Sequence, residues 1–335
     1  MAYINVDEVY ILDNTGLQVD MATDIPFADA GFTDAQKEQA RANIAAGGTN
    51  PNLLDNPFFT IRQRGDGPFT TGNAFTVDRW QMSTWNATSP TTTINADGSV
   101  TLSSTTADNT ANSCALWEVI ENGTRFAGKT ITVSVQVDAG ATNGEKMFIC
   151  GAANGTRYKE QSLSQGLNVL TYTLSDSITG LSIFIGKHGS SGGKGPVNLT
   201  ISAVKVELGS ASTLANDAPP DYGTELAKCQ RYFMRVNCSA TAAIGFGYMS
   251  STTNARIALP TPVTMRSVPS VSVTTIGGMQ VLGAGTSLTP TTAAIQSIEQ
   301  GSVSLNFTVP TGIAANNAVM LQSPNTSYID LSADL

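Results

Sequence analysis

The stretch KTITVSVQV, residues 129–137, decides the fold class. Ile131, Val133, Val135 and Val137 alternate without a break against Thr130, Thr132, Ser134 and Gln136. A period of two puts the four branched apolar side chains on one face of a strand and the hydroxyls and amide on the other. β-Branched residues also favour that backbone, because they fit a pleated, half-buried surface. Residues 167–174, 181–185 and 197–208 repeat the pattern. In the last of these the apolar phase slips between Ala203 and Val204, as it would at a β-bulge. Short strands separated by Gly, Asn and Ser turns, with no helical spacing between them, predict an antiparallel sandwich rather than βαβ units.

Outward from this block the texture changes twice. Before Asn50-Pro51, residues 3–12 and 17–19 flank Asp13-Asn14-Thr15-Gly16, the pattern of a small hairpin that is too short to be stable alone. TDAQKEQARANI, residues 33–44, predicts a helix with Thr33 as N-cap, Gln36 closing a capping box and Gly47-Gly48 as the stop. Its only large apolar residue is Ile44, so it is a linker or one strand of a small bundle. After Ala218-Pro219-Pro220-Asp221, Thr224 is expected to cap a short helix with Leu226, Cys229 and Phe233 on one face. A second β-rich stretch follows, with Val303, Leu305, Phe307 and Val309 alternating along its best strand. The expected organisation is therefore mainly β. An anchor and linker helix occupy residues 1–48, an antiparallel jelly-roll sandwich residues 49–222, and a second, small β-sandwich module residues 223–335.

Composition narrows the function. Of the 335 residues 41% are hydrophobic but only 13% charged, and the net charge is −8. A hydroxyl- and amide-rich surface suits uncharged polar partners such as glycans, whereas phosphate binding needs a basic face that this chain lacks. No segment approaches the roughly 18 apolar residues of a membrane helix, and the opening MAYINVDEVY has neither the basic start nor the apolar run of a signal peptide. Nucleic acid and membrane insertion are accordingly not expected. Cys114, Cys150, Cys229 and Cys238 have no metal-knuckle spacing and are read as small buried apolar residues.

Few residues could carry chemistry. His188, the one histidine, sits in KHGSSGGKGP, which reads as a polar loop; it is taken as a loop residue in contact with glycan rather than a catalytic base. Gly193-Lys194 in the same loop is followed by glycine where a phosphate-binding loop needs Ser or Thr. Asp78, Glu118, Glu121 and Glu207 are the carboxylates that a glycosidase would draw on, with Asp78 and Glu207 expected to hold structure through backbone or Arg79 contacts. Trp85, Trp117 and Tyr158 are the candidates for stacking on a sugar, since an aromatic face packs on the C–H side of a pyranose, while Trp80 is expected in the core. No catalytic residue, metal site or cofactor is expected.

Several segments together resemble a known family. FTDAQKEQARANIAAG resembles a linker helix that recurs in bacteriophage tail-fibre and related virion proteins. NLLDNPFFTIRQRG (52–65) with FTVDRW (75–80) is similar to the start of a jelly-roll, carbohydrate-binding-like domain of such proteins. AVKVELGSAST resembles the close of that domain, and ELAKCQRYF (225–233) is similar to the segment that comes after it in those proteins. TPVTMRSVPSV resembles the start of the small β-module at their tips, so the likeness runs over about residues 32–273. It implies a virion protein made in the host cytoplasm: a homotrimeric fibre subunit bound to another virion protein through residues 1–30 and to a host-surface glycan distally. A head fibre or capsid-decorating protein without receptor function is the alternative implied, and a capsular polysaccharide depolymerase a more distant third.

Overall fold

A computed structural model describes residues 10–12, 18–20, 50–151, 156–189, 193–238, 242–299, 301–325 and 327–335. The helix expected at 33–44 and most of the segment expected to be an anchor lie outside these residues. The chain divides into two compact units, residues 1–49 and 50–335. Within the first, β1 (Tyr10–Leu12) and β2 (Gln18–Asp20) pair antiparallel, Ile11 opposite Val19, the pairing expected of a hairpin.

The second unit is mainly β. Its first sandwich comprises β3 (Ala74–Phe75), β4 (Gln81–Trp85), β5 (Thr91–Ile94), β6 (Val100–Ser104), β7 (Ser113–Val119), β8 (Thr130–Gly140), β9 (Lys146–Cys150), β10 (Arg157–Ser162), β11 (Gly166–Thr173), β12 (Ser182–Lys187) and β13 (Val197–Leu208). They form a six-stranded sheet in the order β10-β9-β12-β7-β4-β3 and a five-stranded sheet in the order β11-β8-β13-β6-β5, all antiparallel. Late strands lie between earlier ones, β12 between β7 and β9 and β13 between β6 and β8, which is the wrapped connectivity of a jelly roll. Ile131, Val133, Val135 and Val137 are fully buried on the inner face of β8, in one core with Leu116, Met147, Ile149, Ile183 and Ile185 of the other sheet. The pairing of β13 with β8 shifts register between Thr200 and Ile201 and again between Ile201 and Ala203, just before the predicted bulge.

The polar face of β8 is not open to solvent at its centre. Thr132 and Ser134 are buried under the segment that leaves β13: the Thr132 hydroxyl donates to the Gly209 carbonyl, and Ser134 and Ser212 hydroxyls meet at 2.7 Å. Lys205 is buried there too, its ammonium held by Thr213 and Asp217, while Glu207 accepts from the Thr213 amide and hydroxyl. Glu207 is thus structural, as expected.

Asp221, not Thr224, caps α1 (Tyr222–Gln230), because the Asp221 carboxylate accepts the Thr224 amide at 2.9 Å. Cys229 lies on its buried face beside Glu225, and Phe233 already belongs to the next strand. The second sandwich consists of β14 (Phe233–Cys238), β15 (Ala243–Ser251), β16 (Asn254–Pro260), β17 (Ser270–Thr274), β18 (Gln280–Gly283), β19 (Thr286–Leu288), β20 (Thr292–Glu299), β21 (Ser302–Thr308), β22 (Ala318–Gln322) and β23 (Ser327–Ser332). A three-stranded sheet, β14-β23-β17, and a seven-stranded one, β19-β18-β22-β15-β16-β21-β20, enclose a separate core that includes Val303, Leu305 and Phe307 of β21. All four cysteines are free and buried.

The NLLDNPFF and VDRW segments knot together beneath the first sandwich. Asn56 accepts the Ile61 amide through its side-chain oxygen and donates to the carbonyls of Ile61 and Asp78, and the Trp80 indole donates to the Asn56 carbonyl. Asp78 takes the Gln63 amide at 2.6 Å and the Gln63 side chain at 2.8 Å. Trp80 is fully buried.

Candidate functional site

Because Met82 and Leu116 point into the core, alternation sends Gln81, Trp85 and Trp117 to the outer face of the six-stranded sheet. The register sets Gln81, Trp117, Phe184, Phe148 and Glu160 in one row across β4, β7, β12, β9 and β10. Trp117 and Phe184 are parallel, centroids 5.2 Å apart, and His188 stacks on Phe184 at 3.8 Å with its edge toward Phe148. The Arg157 guanidinium lies 4.8 Å from the Phe148 ring and donates to the His188 carbonyl.

The structure therefore joins Trp117 and His188 through Phe184, which the sequence did not single out, but the row is self-covered: Trp117 is 6% exposed and His188 8%. His188 lies in the loop directly after β12, as predicted, but it is buried there: its ring packs on the outer face of β12, where apolar neighbours desolvate it. Burial, and secondarily Arg157, push its pKa down to about 4. Tyr158 is not part of this face. It packs against the sandwich core, and its hydroxyl accepts the Thr179 amide at 3.2 Å.

Trp85 differs from all three. It ends β4 opposite Ser113, four residues along from Gln81 and so roughly 13 Å from the Trp117 row. It is 52% exposed, with Ser83, Ser113 and Asn86 around it. Two further aromatics project into solvent on β15, Phe246 and Tyr248, where the Tyr248 hydroxyl accepts from Arg256 at 3.4 Å. Neither stood out in the sequence, because their strand alternates weakly.

A polar cavity of about 310 Å³ opens elsewhere, lined by Asp55, Arg79, Glu118, Glu121, Arg125, Arg231 and Tyr232 among others. Arg79 adopts φ 72°, a backbone state that a non-glycine residue keeps only where its surroundings hold it. Its guanidinium reaches Asp55 at 3.2 Å and Glu118 at 3.6 Å, donates to the Val119 carbonyl, and lies flat on Tyr232 at 3.6 Å. Of the backbone or Arg79 contacts expected for Asp78, it makes the backbone one: it accepts the Gln63 amide and side chain, with Arg64 rather than Arg79 nearby at 3.7 Å, and burial pushes its pKa up to about 6. Glu121 accepts the Tyr232 hydroxyl at 2.8 Å and pairs with Arg231 at 3.3 Å. Glu118 is 1% exposed; one carboxyl oxygen accepts the Asp55 amide at 3.0 Å and the other has no partner. Burial holds its pKa well above the usual carboxylate range and raises that of Asp55 as well. Glu118 and Glu121 were legible as candidate acids, but nothing in the sequence foretold that Arg79, Arg125 and Arg231 would join them.

Among the described residues no group of three or more His, Cys, Asp and Glu is placed to hold a metal ion.

The chain matches no protein-family model and no curated protein. Among solved structures it is similar to the N-terminal CBM22-1-CBM22-2 tandem domain of Paenibacillus barcinonensis Xyn10C, at 11% identity and a TM-score of 0.26 over 84% of this chain and 97% of that one. It is also similar to recombinant discoidin II of Dictyostelium discoideum, at 13% identity and a TM-score of 0.17 over 82% and 88% of the two chains. A third is a Paenibacillus sp. cycloisomaltooligosaccharide glucanotransferase, at 8% identity and a TM-score of 0.17 over 86% and 50%. Such low scores carry nothing about ligand or chemistry, and the jelly-roll assignment rests on the sheet order itself.

Proposed function

We propose that this chain is a non-catalytic, glycan-binding adhesion protein, a fibre-type subunit of a tailed-bacteriophage virion. The observation that carries the glycan part is Trp85, a half-exposed indole set among hydroxyl and amide side chains at the end of β4. An aromatic platform bordered by neutral hydrogen-bonding groups suits the apolar face and the equatorial hydroxyls of a pyranose. The virion part rests on the order of the resembling segments, and with it come assembly as a homotrimer and attachment to another virion protein through residues 1–30. Binding of the full-length protein to host-surface polysaccharide, with and without Trp85→Ala, tests the first part; equal binding by both forms overturns it. Labelling of intact virions with an antibody to residues 223–335, and light scattering of the purified protein, test the second. A single-chain mass of 34.9 kDa in solution contradicts the trimer.

One observation favours the head-fibre or decorating alternative: the aromatic row of Trp117, Phe184 and His188 is occupied by its own members, as an architectural spacer would have it. Virion labelling on the head rather than the tail selects that reading.

A further inference from the structure

The cavity beside Glu118 carries one guanidinium that its own carboxylates do not match. Arg79 is engaged by Asp55, Glu118 and Tyr232, and Arg231 by Glu121. Arg125 is exposed on the 3-10 turn Gly123–Phe126, with only the adjacent Phe126 ring, 4.7 Å away, against it and no ion-pair partner among the described residues. Glu118, whose second carboxyl oxygen is buried and unpartnered, lines the same cavity. Leaving such a group without a hydrogen bond is costly, so its retention marks a place where a polar ligand atom would be stabilised. Burial, opposed by the Arg79 charge, raises the pKa of Glu118, and when it is protonated the unpartnered oxygen can donate.

The inventory of donors and acceptors then restricts the ligand. Arg125 can only donate, and without a counter-charge it calls for an anionic acceptor. Asp55 and Glu121 accept, so the ligand must also bring donors, and a multiply charged anion would be repelled. The volume, at the lower end of the roughly 300–1,000 Å³ of small-molecule pockets, admits a single ring rather than an extended chain. A carboxylate carried on a ring of hydroxyls satisfies all of these requirements.

We propose that this cavity is a subsite for the carboxylate-bearing residue of an acidic glycan, with Arg125 taking the carboxylate at the mouth, Glu118 meeting it from the wall and Glu121 receiving ring hydroxyls. The assignment rests on the glycan-binding reading and names the sugar class, but it uses residues other than Trp85. Titration calorimetry of the full-length protein with D-glucuronate, D-glucose and acetate tests it. Glucuronate is expected to bind about tenfold or more tightly than either control, and Arg125→Ala to abolish that preference without lowering the melting temperature. Trp85→Ala is expected to leave glucuronate binding intact. Equal affinity for glucuronate and glucose, equal affinity for glucuronate and acetate, or an Arg125→Ala protein that keeps the preference, overturns the subsite. If the subsite fails while Trp85→Ala still abolishes polysaccharide binding, the glycan reading survives. If Arg125→Ala removes glucuronate binding while Trp85→Ala changes nothing on polysaccharide, the Trp85 reading fails and the subsite stands.

Discussion

His188 lies face to face on Phe184, ring centroids 3.8 Å apart and planes 23° apart, so the chain's one histidine, in the loop directly after β12, packs on the sheet instead of facing solvent. Its folded pKa, near 4, is below the roughly 6.5 of an unfolded histidine. The folded state therefore prefers the neutral ring, and the stability this confers is complete above pH 6.5 and is lost as pH falls toward 4. Asp78 works in the opposite direction, since its raised pKa makes the folded state hold a proton as pH falls through about 6. Comparison with His188→Phe, which keeps an aromatic ring but does not titrate, removes that background. Unfolding free energy of the wild type relative to His188→Phe is expected to drop by on the order of 2 kcal/mol between pH 6.5 and 4. A flat difference across that range would show that the stack does not bias the proton.

How far the sequence could be read depends on how local each signal is. The inner face of β8 and the alternation of β21 were legible because neighbouring residues carry them, and the hairpin and the bulge in β13 because turn and phase are local too. The aromatic row was not, because Trp117 and Phe184 become neighbours only when β12 inserts beside β7, and that depends on the whole sandwich closing. The polar cavity was further out of reach. Asp55, Glu118 and Tyr232 come from the entry segment, from β7 and from just beyond α1, and no short-range pattern encodes their meeting.

Trp85 is expected to separate binding from stability. Its indole is half exposed, so truncation to alanine should change stability by no more than about 0.5 kcal/mol, as for ordinary surface positions. Loss of a stacking platform should weaken polysaccharide binding about tenfold. Thermal melts and a binding isotherm on the same preparation check both halves. A fall of several degrees without weaker binding would make Trp85 a packing residue.

Gly186 sits between Phe184 and His188 at φ 130°, a conformation that L side chains rarely adopt. A Cβ there would lie 2.5 Å from the Cys114 carbonyl oxygen and 3.0 Å from the Ala115 Cα on the paired strand. Both obstacles are backbone and cannot step aside cheaply, so Gly186→Ala should cost about 3 kcal/mol or more in urea unfolding. Near-ultraviolet circular dichroism should lose the Trp117–Phe184 signature as β12 shifts. Wild-type stability in this variant would mean that the strand has room the geometry denies.

Arg64 joins the two sandwiches, and its removal should be felt in both. Its guanidinium lies 3.6 Å from the ring of Phe233 and 4.9 Å from that of Phe75, and pairs with Asp334 and, at 3.7 Å, with Asp78. Phe75 and Asp78 belong to the first sandwich and its entry segment, while Phe233 and Asp334 open and close the second. The side chain is about nine-tenths buried, so truncation leaves two carboxylates with no cation between them in a poorly solvated place. Breaking a buried pair in this way typically costs about 3–5 kcal/mol, against under 1 kcal/mol for an exposed one. Arg64→Ala also removes the stem that packs between the two rings, whereas Arg64→Met keeps most of that contact and loses only the charge. We expect calorimetry to show one cooperative transition for both sandwiches in the wild type, and an earlier, separate transition for residues 233–335 in Arg64→Ala. Arg64→Met should fall between the two, and adding Asp334→Asn to it should restore part of the loss, because the stranded charge is then gone. A cost below about 1 kcal/mol for Arg64→Ala, or a single transition preserved in it, would mean that the sandwiches are coupled through the Asn56–Glu225 contact at α1 instead.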